Sequence, residues 1–205
     1  MSGQPQTGST FSAAGRARIA NLANTLTGLR LLLVPIFLCA LFAGNGHEIA
    51  GRIAAFVIFA IACITDRFDG LLARNYGMAT EFGAFVDPIA DKALIGSALI
   101  GLSMLGDLPW WVTAVILTRE VGVTLLRLAL IRRGVIPASW GGKLKTVVQA
   151  VAIGLFLLPW ASQPGPFLLA ASVVMGIAIL LTVVTGVDYV AGALRAARRV
   201  RETTG

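Results

Sequence analysis

The amino-acid sequence predicts an all-α integral membrane protein, with six transmembrane helices and both termini at the cytoplasmic face. Three observations carry this prediction. The 205-residue chain is 57% hydrophobic and only 13% charged, whereas a soluble domain carries about 45–50% apolar and about 25% charged residues. Its apolar residues gather into six segments, about 22–43, 48–73, 82–105, 109–131, 144–160 and 165–190, near the roughly 20 residues that cross a hydrocarbon core ~30 Å thick. Basic residues fall almost wholly on one side. With the N-terminus inside, the inner segments hold Arg16, Arg18, Arg74, Arg132, Arg133, Lys143, Lys145, Arg195, Arg198, Arg199 and Arg201, eleven cations against Arg52 alone outside. Cytoplasmic loops carry this kind of excess.

Residues 1–20, rich in Ser, Gly, Thr and Gln, form a segment apart that is either flexible or interfacial; Arg16 and Arg18 beside Ile19 and Leu22 suit a helix lying on the membrane surface. The first apolar run reaches Ala43 without a small-x-small cleavage site, so it reads as a retained span and not as a signal peptide. Gly44-Asn45-Gly46 ends it, and His47 in that loop reads as a solvated side chain. Asn75-Tyr76-Gly77, Gly106-Asp107-Leu108-Pro109, the stretch from Gly134 to Gly142, and Gln163-Pro164-Gly165-Pro166 punctuate the later spans. The segments are too long and too evenly apolar for barrel strands. Residues 21–195 then make one six-helix domain, followed by a basic cytoplasmic tail, 196–205. Cys39 and Cys63 lie in apolar stretches as small hydrophobes, with neither a disulfide nor a metal assigned to them. The net charge of +7 belongs to the cytoplasmic face, where it suits anionic lipid head groups or phosphorylated substrates. No separate basic domain is present to bind nucleic acid.

Charges at helix depth carry the functional signal, because each costs at least ~2.5–3.5 kcal/mol to insert. Asp66 and Asp69 are three residues apart on the second helix, and Asp87 and Asp91 four apart on the third. Each pair therefore shares a face. Gly70 and Ala73 extend the first face, and Gly83 the second, with almost no side chain. The eight residues between Arg74 and Gly83 suit a tight antiparallel hairpin, so four carboxylates can converge near the cytoplasmic ends of adjacent helices. Such charges raise one another's pKa values unless a cation intervenes. An all-oxygen donor set without His or Cys selects Mg²⁺ or Mn²⁺. Pro88 removes a helical hydrogen bond beside Asp87 and is expected to bend the helix there. The site reads as metal-dependent phosphate chemistry open to the cytoplasm.

The run Asp66-x2-Asp69-Gly70-x2-Ala73-Arg74-x8-Gly83-x3-Asp87-x3-Asp91 resembles, without departure, the signature of the CDP-alcohol phosphotransferase family. The resemblance implies that family's six-span fold over residues 20–195, usually as a homodimer. It also implies transfer of a phosphatidyl group from CDP-diacylglycerol, or a related CDP-alcohol, to an acceptor hydroxyl, with release of CMP. Asp66, Asp69 and Asp87 would then ligate the metal, and Asp91 would be the general base and a further ligand. Gly70, Ala73, Arg74 and Gly83 would line the nucleotide site, which also takes in Asn24, Thr27, Asp66 and Asp69 as donor-binding residues.

The acceptor rests on softer signals. Asp87-Pro88-Ile89-Ala90-Asp91-Lys92, Asn21-Leu22-Ala23-Asn24-x-Leu26-Thr27-x2-Arg30, Thr118-Arg119-Glu120-x5-Leu126-Arg127 and Ser139-Trp140-Gly141-Gly142-Lys143-x-Lys145-Thr146-x2-Gln149 are similar to the branch that makes phosphatidylglycerophosphate from sn-glycerol 3-phosphate. Ala23 departs, standing where that branch carries proline. Arg119 and Arg127 lie eight residues apart on one face of the fourth helix, and Lys143 and Lys145 open the fifth. A doubly charged acceptor phosphate needs such cations. For the two lysines the plain alternative is ordinary positive-inside charge, and for Glu120 it is pairing that holds an arginine in place. Inositol phosphate would need a similar pocket, and a cardiolipin-forming enzyme would need a groove open sideways to the lipid. A transporter would place its carboxylates near the bilayer midplane, in repeated halves, and neither is visible. The expected setting is the bacterial inner membrane, multi-pass, with the site facing the cytoplasm.

Overall fold

The computed structural model describes residues 28–29, 31–76, 81–131 and 141–204, and within them the side chains of 28–29, 31–65, 92–126, 144–193 and 195. Six helices run through these residues, with no strand among them: α1 (Leu31–Gly46), α2 (Ile49–Tyr76), α3 (Glu81–Met104), α4 (Trp110–Ile131), α5 (Gly141–Leu157) and α6 (Pro166–Thr204). The last turn of α1, Ala43–Gly46, is 3-10, and a second 3-10 turn, Pro159–Ser162, joins α5 to α6.

The ends of these helices follow from local chemistry. In the last turn of α1 the chain reverses through Gly44, Asn45 and Gly46, at φ of 56°, 57° and 79°; glycine enters this left-handed region freely and asparagine more readily than most residues. Helix α3 ends in a Schellman arrangement around Gly106 (φ 81°). There the Asp107 amide donates to the Leu102 carbonyl and the Gly106 amide to that of Ser103. Proline at position 159 and again at 166 opens the two elements after α5, where a missing N–H costs nothing.

One core joins all six helices. Phe37 and Leu41 of α1 meet Ala55 and Phe59 of α2, Leu94, Ala98, Leu99 and Leu102 of α3, Val112 and Ile116 of α4, Ile153 and Leu157 of α5, and Met175 and Ala178 of α6. The Phe37 and Phe59 rings lie 6.1 Å apart, while Leu41 lies against Gly101. Helix α1 thus touches both α2 and α3. Helix α5 packs most extensively on α6 and also contacts α2 and α3; α4 packs on α3 and α6.

Arg52 corrects its expected place. Counted as an outer-loop cation, it sits in the first turn of α2 with 1% of its surface exposed. The tight reversal before α2 carries it into the end of the bundle. There it pairs with Asp107, which the Schellman turn presents. Its Nε donates to the Gly46 carbonyl at 2.6 Å and Nη1 to that of Phe156 at 3.1 Å. Phe156 is among the last four residues of α5, whose carbonyls lack helical partners, so one guanidinium ties three turns together.

Boundaries shift as well. Asn75 and Tyr76 belong to α2, and Gly141 and Gly142 to α5, although all four read as breaks. Helix α3 is continuous through Pro88. Helix α6 runs on through most of the segment expected to form a separate tail. Among the described residues one stretch, Pro166–Ala193, with a mean hydropathy of 2.7, is long and apolar enough to cross a bilayer; Leu31–Gly46, Ile49–Thr65, Lys92–Met104 and Leu144–Leu157 are shorter apolar stretches.

Candidate active site

The bundle places the signature on two unbroken helices. Asp66 and Asp69 lie on α2 and Asp87 and Asp91 on α3, so the spacing of each pair is a true helical spacing. At 1.5 Å per residue, Asp66 lies roughly 21 Å along α2 from Arg52, toward the opposite end of the bundle. The side chains of Asp66, Asp69, Asp87 and Asp91 lie outside the described residues, as do those of Ala73, Arg74, Arg127 and Lys143; Gly70 lies on α2 and Gly83 on α3. Asn24, Thr27 and the 77–80 connection lie outside them altogether.

Directly after Asp91 on α3 comes Lys92, and from there the described residues build a polar cluster between α3, α4 and α5. Glu120 of α4 is its hub. One carboxylate oxygen accepts from Lys145 of α5 and, at 3.2 Å, from Nη1 of Arg119; the other lies 3.3 Å from Lys92 Nζ. The Lys145 side chain is only 3% exposed. A charge buried so deeply costs several kcal/mol unless paired, and Glu120 supplies the pairing.

Neighbouring positions on a helix point about 100° apart, so Arg119 and Glu120 turn to different partners. Glu120 faces α3 and α5, while Arg119 reaches toward α6, where its Nη2 donates to Thr185 Oγ1 at 2.8 Å. Thr185 in turn donates to the Leu181 carbonyl at 2.6 Å. Arg119 Nε is buried without a partner. A cavity of about 110 Å³ borders the hub, lined by Lys92, Leu117, Glu120, Lys145, Thr146 and Gln149. The buried Gln149 Oε1 also lacks a partner. On the other side of Arg119, a sideways-open groove of about 820 Å³ runs between α4 and α6, apolar except near Thr118 and Arg119.

Of the cations expected to serve an acceptor phosphate, Arg119 and Lys145 are therefore brought to one carboxylate. Lys92 and Gln149 were absent from the expected site. Lys92 is betrayed by its position beside Asp91, and Gln149 by its four-residue spacing from Lys145, but only helix rotation turns those spacings into a shared cavity.

A sequence model of the family described as CDP-alcohol phosphatidyltransferase matches residues 20–184, most of the chain. The chain belongs to this family. The matched span takes in all four aspartates, the Glu120 hub and Lys145. Two Mycobacterium tuberculosis strains each have a protein named "Probable phosphatidylglycerophosphate synthase" that is 75% identical over 203 residues, covering 99% of this chain and 94% of the relative. The CDP-diacylglycerol–glycerol-3-phosphate 3-phosphatidyltransferase of Bacillus subtilis is 37% identical over 182 residues, 82% of this chain and 93% of the relative. The Escherichia coli protein of the same name is 37% identical over 143 residues, 67% of this chain and 76% of the relative.

Proposed function

We propose that this family member transfers the phosphatidyl group of CDP-diacylglycerol to sn-glycerol 3-phosphate, giving phosphatidylglycerophosphate and CMP. The observation that carries this reading is the 75% identity, over nearly the whole chain, to relatives named for that product. The cations buried between α3, α4 and α5 support an acceptor that bears a phosphate, with Arg119 and Lys145, joined by Arg127 and Lys143, as its partners. Asn24, Thr27, Gly70, Ala73, Arg74 and Gly83, with Asp66 and Asp69, form the donor site in this reading.

A donor set of four carboxylates without nitrogen or sulfur fits a hard divalent cation, Mg²⁺ or Mn²⁺. Asp66, Asp69, Asp87 and Asp91 would hold it, and when bound it would neutralise pyrophosphate and leaving-group charge. Asp91 takes the proton of the acceptor hydroxyl as general base. Small residues at 70, 73 and 83 leave room for a nucleotide against the two helices.

The same reading sets the chain in the inner membrane as six spans, with both termini and the aspartate end in the cytoplasm, and as a homodimer. Its outward surface supports the lipid setting. Ile49, Ile53, Val57, Ile61 and Ile64 follow one exposed face of α2, and Leu169, Val173, Ile177, Leu180 and Val184 are exposed along α6. A surface this apolar is at home in lipid. Exposed Trp110, Trp111 and Trp160 all lie at the Arg52 end, as in the aromatic belt of a membrane interface.

One observation favours a second acceptor. The apolar α4–α6 groove, open sideways, is the feature expected for a lipid acceptor such as phosphatidylglycerol. The names of the relatives put this reading second.

The chemistry is tested with Asp91→Asn. Release of CMP from CDP-diacylglycerol with glycerol 3-phosphate is expected to require added Mg²⁺ or Mn²⁺. The variant should lose turnover while remaining folded and still binding the donor. Full turnover by Asp91→Asn would remove Asp91 as base, and turnover surviving thorough chelation would remove the metal.

A further inference from the structure

Glu120 is the one carboxylate among the described residues that draws cations from three helices: Lys92 of α3, Arg119 of α4 and Lys145 of α5. Three cations crowded at low dielectric repel one another strongly. Lys145 has almost no access to solvent that would screen it. The carboxylate lets these groups stand together in an apolar bundle, and it fixes where each one points. Beside it lies the small cavity that Lys92, Lys145, Thr146 and Gln149 share. The unpartnered end of the Gln149 side chain is buried at that cavity. The amide O and N of a glutamine are interchangeable by rotation, so Gln149 can offer this space either an acceptor or two N–H donors.

We propose that Glu120 is the positioning residue of the acceptor-phosphate pocket: by holding Lys145 and Lys92 at one cavity, with Arg119 on its other flank, it sets the cations where a phosphate monoester is received. Glu120 does not touch the reacting atoms. It acts through Lys145, its most buried partner. The proposal rests on the reading of Arg119 and Lys145 as acceptor-phosphate residues, and it adds the group that organises them. A flexible lysine is a point charge on a long stem, so without an anchor it gains ionic attraction but loses aim.

The test compares Glu120→Gln, Glu120→Asp, Lys145→Met and the double variant Glu120→Gln/Lys145→Met in lipid vesicles. Separate kcat and KM values are measured for CDP-diacylglycerol and for glycerol 3-phosphate. A hydrogen bond to a charged group contributes enough that Glu120→Gln should raise the acceptor KM about tenfold or more, with the donor KM within twofold of wild type. The double variant should lose clearly less than the sum of the two single changes, because both break the Lys145 link while Glu120 also holds Lys92 and Arg119. Glu120→Asp, which keeps the charge on a shorter stem, should lie between wild type and Glu120→Gln; it supplies the answer if Glu120→Gln does not fold. Equal rises in both KM values, or additive losses in the double variant, would overturn the proposal. An acceptor KM unchanged in the Glu120 variants beside an impaired Lys145→Met would overturn the proposal alone. An unchanged acceptor KM in Lys145→Met would overturn the phosphate reading of Lys145, and the proposal with it.

Discussion

Arg119 owes its reach toward α6 to the absence of a side chain opposite. A Cβ at Gly186 would lie 3.1 Å from Arg119 Cγ, tighter than ordinary contact, so a larger residue there displaces the arginine stem that carries the guanidinium to Thr185. Overpacking of this kind costs about 1–3 kcal/mol. Gly186→Leu is therefore expected to raise the KM for glycerol 3-phosphate severalfold. Gly176→Leu, on the same helix with nothing within 4 Å of its added Cβ, should leave it unchanged. Steady-state kinetics on the two variants checks this, and equal behaviour would detach Arg119 from the acceptor. At this scale the sequence was readable in kind and not in arrangement. It marked Arg119 and Lys145 as cations for a phosphate and Glu120 as a partner for an arginine, but it could not say that one carboxylate serves several cations. That depends on the rotation of α4 against α3 and α5. Lys92 and Gln149 stand in the quoted motifs without a role for the same reason: only the shared cavity distinguishes them.

The helical elements are locked at one end by a single ion pair. Arg52 lies in the first turn of α2, Asp107 in the turn after α3, and Phe156 in the last turn of α5; the two charged side chains are 1% and 6% exposed. Removing one partner strands the other as a buried charge, at a cost of about 3–5 kcal/mol. Arg52→Met should lower the melting temperature in detergent clearly. Arg52→Met combined with Asp107→Leu should recover part of the loss, but not all, since the Gly46 and Phe156 carbonyls stay without their donor. A melting temperature unchanged in Arg52→Met would show that the clasp adds nothing. Charge counting treats every cation between two apolar runs as loop charge, and Arg52 falls one turn inside a helix, where that rule misplaces it. Element ends were misread by the same logic. Gly141-Gly142 looks like a break, yet it lies within the helix that carries Lys145 into the bundle, while Gly106, read as a turn, is the left-handed residue that ends α3.

For the whole molecule, composition and segment length were enough to foresee the six helices found among the described residues, because long, evenly apolar segments suit helices and not alternating strands. The motif from Asp66 to Asp91 was enough to foresee the family, since a fixed spacing on two helices survives whatever surrounds it. The choice of acceptor was the least legible part. In the proposed reading it rests on cations of α3, α4 and α5 that meet only in the folded bundle, and an apolar groove on α4 and α6 lies within reach of the same arginine. The central claim is therefore tested most directly by acceptor choice. Purified protein in lipid vesicles, given Mg²⁺ and CDP-diacylglycerol, would be offered glycerol 3-phosphate, inositol phosphate or phosphatidylglycerol in turn, with CMP release measured for each. Release with glycerol 3-phosphate, and none above background with the other two, is the predicted result. Release that depends on inositol phosphate or on phosphatidylglycerol, and not on glycerol 3-phosphate, would contradict it.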